Sequence, residues 1–354
     1  MGDCLLSRLH EFQELFHQIQ IAWEKDEQTV LVILTDVKGS AYRLPGTKML
    51  MTSGGTMVGT ISGGCLEADL YEWATKVFEN RKPMTLKYDL SDTEIWSLGI
   101  GCKGDLEILF LPIFPQDGTW KKVEKHLAYE ESFTLIIDME NGQTKVLQEM
   151  NSKLHNDTDL PIELIEYAEA IYMKQTRAEV IEHQNKRYYM DVVKPSEKLI
   201  VAGAGKDAVP LVELAYKAGF SVTVLDTRSN LNNLQHFPHA KHITSAIENL
   251  SDSQLNHSWW LIMNHHMEKD EVSLKYAIES NPRYIGVLGP IYRTNEMLNN
   301  IGYSINSAPI HSPVGLDLGA ESMDEVAISI ISELMCLRAD RTPQYLHGKG
   351  KIHV

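Results

Sequence analysis

LIVAGAGKDAVPLVELAYKAGFSVTVLDTR, residues 199–228, reads as a buried strand, a glycine turn, a helix and a second buried strand. The turn is Gly203-x-Gly205-x-x-Ala208. Gly203 lets the chain turn tightly, Gly205 lets the backbone approach a phosphate, and the small Ala208 lets helix pack on strand. The helix then turns its N–H groups and the positive end of its dipole toward any anion at the turn. Pro210 is tolerated because it falls in the first helical turn. Asp226 closes the second strand 21 residues after Gly205, where an acid receives a ribose 2′-hydroxyl. This pattern predicts a Rossmann-type doubly wound parallel sheet, with NAD(P) or another nucleotide as its expected ligand. Such turns also serve other phosphate ligands and sometimes none. Lys206 and Arg228 are placed to assist a phosphate and equally placed to be solvated.

The alternation continues beyond this unit. WWLIM (259–263) and YIGVLG (284–289) read as later parallel strands, with helices near 270–280 and 292–300. A helix over 323–338 opens with the capping box Ser322-x-x-Glu325. In open α/β sheets the loops after strands carry the chemistry, so His265, His266, Asp270 and Arg293 are candidates. HFPHAKH (236–242) holds three histidines, but Pro238 breaks any helical face and the spacing does not suit zinc. No metal site is assigned.

VVKPSEK (192–198) reads as a linker, which sets residues 196–354 as the Rossmann domain and 1–195 as a mixed α/β N-terminal domain. In the latter, Leu5, Leu9, Phe12, Phe16, Ile19 and Trp23 form one helical stripe. TVLVILTD (29–36) has the β-branched content of a buried strand. KMLMT (48–52) and TMVGTI (56–61) read as two strands joined at Ser53-Gly54-Gly55. A helix is expected from Cys65 to about Asn80, followed by strands MTLKYDL and DLEILFL. The middle section, 116–195, suggests hairpins at Asn141-Gly142 and Gln184-Asn185, with a helix near 161–175 between them.

Two glycine-rich segments of this domain stand out. Gly39-Ser40-Ala41-Tyr42-Arg43-Leu44-Pro45-Gly46 follows a buried strand, and Gly59-Thr60-Ile61-Ser62-Gly63-Gly64-Cys65-Leu66-Glu67 precedes a helix. Ser62 is placed to cap that helix, and Gly63-Gly64 lets a ligand reach its N–H groups. Arg43 offers a planar donor for phosphate or pterin. Cys65 is expected in the first turn, where the dipole favours a thiolate, and Cys102 lies in a second glycine bracket beside Lys103. Cys65 and Cys102 are thus candidate reactive thiols. The alternative is two small buried cysteines and ordinary turns.

Composition narrows the function classes. The chain has 354 residues, enough for two cores, and 43% of them are apolar. Forty-eight acidic residues against 33 basic ones give a net charge of −15, which repels nucleic acid and anionic membranes. No apolar run approaches the roughly 20 residues of a membrane helix. The N-terminus reads neither as a signal peptide nor, with Leu6 in the sixth position, as a myristoylation motif. Cys4, Cys65, Cys102 and Cys336 are scattered and form no CxxC, so a reducing cytoplasm is expected.

These segments together resemble the XdhC/CoxI family, accessory proteins of molybdenum hydroxylases. VLVILTDVKGSAYRLPGTKMLMTSGGTMVGTISGGCLEADL carries the N-terminal signature, and GIGCKGDLEILF a second block. GAGKDAVPL, VTVLDTR, NHHMEKD, YIGVLGPIYR and HSPVGLDLGAESMDEVAISIISEL carry it through the second domain. The family pattern falls on Ser40, Arg43, Gly46, Ser62, Gly63, Gly64, Cys65, Glu67 and Cys102. It then falls on Gly203, Gly205, Asp226, His265, Asp270 and Gly289. Two places depart from it: Pro290-Ile291-Tyr292-Arg293 stands where many relatives have a serine and basic residues, and Cys102-Lys103-Gly104 lacks a glycine of the usual run.

The resemblance implies a non-catalytic chaperone that binds molybdenum cofactor and helps insert its sulfurated form into a xanthine dehydrogenase-type enzyme. The partners it implies are that client and a cysteine desulfurase, and a homodimer is the expected assembly. A cleft between the two domains is the expected place for the cofactor. The alternative is an NAD(P)-dependent oxidoreductase of a small molecule, although no paired acid and base can be assigned to it.

Overall fold

The N-terminal apolar stripe from Leu9 to Trp23 forms a helix, α1 (Arg8–Glu24), in the computed structural model of the chain, and Leu5 lies outside the described residues. The structure describes residues 8–39, 43–89, 104–150, 153–155, 160–173, 178–251 and 255–348. The chain divides into two compact units, with the boundary between Pro195 and Ser196.

The first unit holds two antiparallel sheets. One is built from β1 (Thr29–Gly39), β2 (Lys48–Thr52), β3 (Met57–Val58), β4 (Met84–Asp89) and β5 (Gly104–Ile113), in the order β3-β2-β1-β5-β4. β1 is apolar throughout Val30–Leu34 because both faces of that stretch are covered. Val30, Val32 and Leu34 pack with Leu70, Ala74 and Val77 of α2 (Glu67–Asn80). Leu31 and Ile33 point the other way, into a cluster with Phe12, Phe16 and Ile19 of α1.

The middle section builds the second sheet and its helices. Its strands are β6 (Phe133–Asp138), β7 (Thr144–Met150), β8 (Lys153–His155), β9 (Ala178–His183) and β10 (Lys186–Val193), in the order β8-β7-β6-β10-β9. Leu135, Ile137, Tyr189 and Val193 enter the cluster around α1, together with Trp120 and Leu127 of α3 (Gly118–Ala128). Ile136, Leu147, Met190 and Val192 face α4 (Ile162–Met173). Both expected hairpins form, and Gln184 and Asn185 take φ of 51° and 61°, as both central residues of a two-residue type I′ turn require. Lys48 of β2 and Asp191 of β10 form a buried ion pair between the two sheets, with Lys48 also over the Phe12 ring.

Two boundaries differ from the sequence reading. The strand expected over 56–61 is only Met57–Val58. Gly59 takes φ of 89° and passes so close to β2 that a Cβ on it would lie 2.9 Å from the Lys48 carbonyl oxygen. The helix expected from Cys65 begins instead at Glu67, because Gly63 and Gly64, at φ of 78° and 110°, continue the loop.

The second unit is a six-stranded parallel sheet. Its strands are β11 (Lys198–Ala202), β12 (Ser221–Leu225), β13 (Lys241–Ile243), β14 (Trp259–Ile262), β15 (Tyr284–Val287) and β16 (Ile310–His311). Their order, β13-β12-β11-β14-β15-β16, is the Rossmann order, with all strands parallel and the order of strand addition reversing between β11 and β14. Leu199 and Val201 pack with α5 (Ala208–Lys217) and α8 (Met323–Arg338). Ile200 and Ala202 pack on the opposite side with α6 (Met267–Glu279) and α7 (Ile291–Ile301). α8 starts with the expected capping box. β13 and β16, at 3 and 2 residues, are too short to read from alternation. Among the described residues no helix is long and apolar enough to cross a membrane.

Candidate functional site

The loop between β3 and α2 is organised by one carboxylate. Glu67, in the first turn of α2, reaches back over it. Oε1 accepts from the Thr60 hydroxyl at 2.5 Å and from the N–H groups of Ile61 and Ser62 at 3.1 and 3.0 Å. Oε2 accepts from the Ser62 hydroxyl at 2.6 Å and the Leu66 N–H at 3.1 Å. Burial pushes the Glu67 pKa up, but the hydroxyls of Ser62 and Thr60 and the loop N–H groups outweigh it and hold the pKa at about 2. Ser62 therefore does not cap the first helical turn as expected. Its hydroxyl serves the loop instead, accepting the Leu66 N–H at 2.8 Å.

This network leaves Gly63, Gly64 and Cys65 exposed at the outer edge of the loop. Cys65 lies before the helix rather than within its first turn, since Leu66 is the N-cap. Among the described residues, no hydrogen bond uses the N–H groups of Gly64 or Cys65. A Cβ on Gly64 would meet nothing within 4 Å. Two backbone donors and a thiol thus share one open edge.

The other glycine-rich segment meets this loop through Arg43. Its Nε donates to the Thr60 carbonyl and its terminal nitrogen pairs with Glu11, each at 3.4 Å. Gly46, at φ of 97°, donates its N–H to Leu34 at 2.8 Å and so ties the segment to β1. Arg43, Gly46, Ser62, Gly63, Gly64, Cys65 and Glu67 thus fall in connected segments. Ser40 and Cys102 lie outside the described residues. Cys336 is half-buried on α8, in the other unit.

In the second unit, the residues singled out converge at the carboxyl ends of β11, β14 and β15. Gly203, at φ of 125°, lies against the loop after β14, and a Cβ on it would be 2.7 Å from the Met263 carbonyl carbon. Asp270, 1% exposed, accepts from the Asn264 N–H at 2.9 Å and side chain at 3.0 Å, and pairs with Arg293 at 2.6 Å. Gly289, at φ of 117°, lies beside the Arg293 side chain. His265 pairs with Asp207, at the start of α5, at 2.7 Å. Lys206 is exposed.

Asp226 is placed differently from the sequence expectation. Its carboxylate, 6% exposed, accepts the Ala204 N–H at 2.9 Å and a two-point contact from Arg228 at 2.9 and 2.6 Å. Burial raises its pKa, but the Arg228 guanidinium and the Arg228 and Ala204 N–H groups hold it below the ordinary value. Instead of facing an open ribose, Asp226 is satisfied by its own chain. The three clustered histidines are also dispersed: His239 stacks on Tyr216 at 4.3 Å, His242 pairs with Asn232, and His236 lies near Phe237. Among the described residues no group of three or more His, Cys, Asp or Glu is arranged to hold a metal. Sequence reasoning missed Asp207, Asn264 and Thr60, although Asp207 is of the type that favours helix starts.

The chain matches the family model of the XdhC Rossmann domain over residues 199–334 and that of the XdhC and CoxI family over residues 22–89. A protein of Bacillus subtilis, described as a probable subunit of xanthine dehydrogenase, is 30% identical over 325 residues, covering 89% of this chain and 94% of that one. The chain belongs to the XdhC and CoxI family. The molybdenum cofactor insertion chaperone PaoD of Escherichia coli is 21% identical over 314 residues, covering 87% of this chain and 83% of its own. A crystal structure described as that of a xanthine dehydrogenase from Bacillus halodurans, 28% identical, superposes with a TM-score of 0.74 over 95% of this chain and 97% of that one. The second family model falls on the loop organised by Glu67, and the first on the Rossmann unit.

Proposed function

We propose that this XdhC-family protein is an accessory factor that binds molybdenum cofactor as cargo and helps insert it into a xanthine dehydrogenase-type molybdoenzyme. The family match and the likeness to PaoD support the accessory role. The observation that carries the reading is the open edge of Gly63, Gly64 and Cys65. The cargo is an anionic pterin with a phosphate tail and a soft metal centre. Backbone N–H groups suit the anion, and a thiol is the soft ligand such a metal accepts. Gly64 and Cys65 would supply these groups, while Glu67 and Arg43 hold the loop that presents them.

The same reading takes the cargo in its sulfurated form, with a cysteine desulfurase as a second partner and a homodimer as the assembly. The oxidoreductase alternative gains nothing from the geometry, because the acid a dehydrogenase would turn to ribose is bound to Arg228.

Anaerobic equilibrium binding of isolated cofactor to the wild type, Cys65→Ala and Arg43→Ala tests this. Saturable binding by the wild type, weakened tenfold or more in Cys65→Ala, is expected. Absence of saturable binding to the wild type would end the carrier reading.

A further inference from the structure

The Rossmann unit has every backbone feature of a dinucleotide site: the strand order, the switch point beside β11, and the glycine turn. In such a site the pyrophosphate lies over the second glycine, here Gly205. That space is filled by the chain's own Asp207. A Cβ built on Gly205 would collide with Asp207 Oδ1, and it would lie 3.6 Å from Cγ of the same carboxyl and 3.8 Å from Cδ2 of His265.

The carboxylate is hydrogen-bonded there to an exposed histidine. Its Oδ2 pairs with Nε2 of His265 at 2.7 Å, and the Asp207 side chain is only 20% exposed. His265 is itself in the left-handed region, at φ of 55°, in the loop after β14. The pair therefore bridges the start of α5 and the β14 loop, across the crevice where a ligand would enter. Two other dinucleotide contacts are also satisfied within the chain. The N–H groups of Ala208 and Val209 donate to the carbonyls of Gly205 and Lys206 at 3.1 and 3.4 Å. Asp226 is bound by Ala204 and Arg228.

We propose that Asp207 is a specificity-determining residue that closes the Rossmann turn to pyrophosphate-bearing dinucleotides such as NAD(P). The carboxylate occupies the position of the phosphate and repels its charge. His265 keeps it in place. A ligand of this crevice in the wild-type protein must enter without placing a pyrophosphate over Gly205. This inference does not depend on the carrier reading, which rests on the other unit.

Titration of the full-length chain with NADH, followed by fluorescence and calorimetry, tests it. Wild type, Asp207→Ala, Asp207→Asn and His265→Ala are compared, with circular dichroism and melting curves confirming the fold of each. Asp207→Ala is expected to bind NADH at least tenfold more tightly than the wild type. Asp207→Asn, which keeps the bulk and removes the charge, should fall between them, and His265→Ala should gain less than Asp207→Ala. Equal NADH affinity in wild type and Asp207→Ala overturns the proposal, whether both bind or neither does. Should Asp207→Ala fail to fold, Asp207→Asn decides by the same comparison.

Discussion

Glu67 holds Ser62 with both of its oxygens, the Ser62 N–H donating to Oε1 at 3.0 Å and the hydroxyl to Oε2 at 2.6 Å. A residue in the first turn of α2 thereby fixes the loop that precedes the helix. The loop's outward donors at Gly64 and Cys65 are what remain after its inward ones are satisfied.

This contact has a pH signature. Folding lowers the Glu67 pKa from 4.5 to about 2, so the folded state gains stability above the unfolded value and loses it as pH falls from 4.5 toward 2. At roughly 1.4 kcal/mol per pKa unit, the ceiling is about 3 kcal/mol. Glu67→Gln should be less stable than wild type at neutral pH by about 1.5–3 kcal/mol, as expected for losing hydrogen bonds to a charged acceptor. Its unfolding free energy should also change less between pH 5 and 2. Denaturant unfolding at each pH measures both, and parallel acid limbs for the two proteins would refute the assignment.

The Lys48–Asp191 pair makes a separate prediction about the core of the first unit. Side-chain exposure is 5% for Lys48 and 0% for Asp191, and Lys48 also donates to the Gly46 carbonyl at 3.2 Å. Lys48→Met removes the cation paired with a buried carboxylate and should cost about 3–5 kcal/mol. Lys48→Met combined with Asp191→Leu should recover most of that loss, because the buried carboxylate is removed along with its cation. Chemical denaturation of the two variants decides. A double variant as unstable as Lys48→Met alone would refute the claim that the carboxylate left without its lysine causes the loss.

Gly203 is where the Rossmann turn depends on having no side chain. Its φ of 125° strains any other residue, and an added Cβ would lie 2.7 Å from the Met263 carbonyl carbon. The strain alone costs about 1–3 kcal/mol. The backbone of the β14 loop must also move, and it does not have the freedom of a side-chain tip. Gly203→Ala should therefore lower the melting temperature of this unit markedly. An unchanged melting curve would mean that the two loops are not packed as described.

What the sequence made legible, and what it did not, follows the range of the interactions. The glycine turn, the strand that precedes it and the helix that follows are local patterns, and they were readable because backbone geometry restricts the residue types. The occupant of the turn was not. Asp207 and His265 are 58 residues apart, and nothing near either one signals the pair. The spacing of Asp226 points to a ribose acceptor, yet Arg228, two residues on, satisfies it. Lys48 and Asp191 are 143 residues apart, and nothing near either one in the sequence marks the pair. In the first unit the glycine segments are legible as loops beside a strand and a helix, but the helix boundary is not. It depends on which donors Glu67 collects, and this depends on the folded loop.

If the proposed cargo site is right, substitution at Gly64 separates folding from cargo binding. It takes φ of 110°, so Gly64→Ala carries a conformational penalty of about 1–3 kcal/mol, but a Cβ there meets no atom within 4 Å. The added methyl projects into the open space beside the unpartnered N–H groups of Gly64 and Cys65. A protein that binds an anion through these groups should lose affinity for molybdenum cofactor tenfold or more in Gly64→Ala. Cys65→Ser, which keeps the backbone donors and replaces the soft sulfur, should lose less than Gly64→Ala if the anion contacts dominate, and more if the metal contact does. Both variants should retain the wild-type circular dichroism spectrum. Anaerobic binding titrations on the folded variants give the answer. Wild-type affinity in both would place the cargo away from this loop, whatever the family role of the protein.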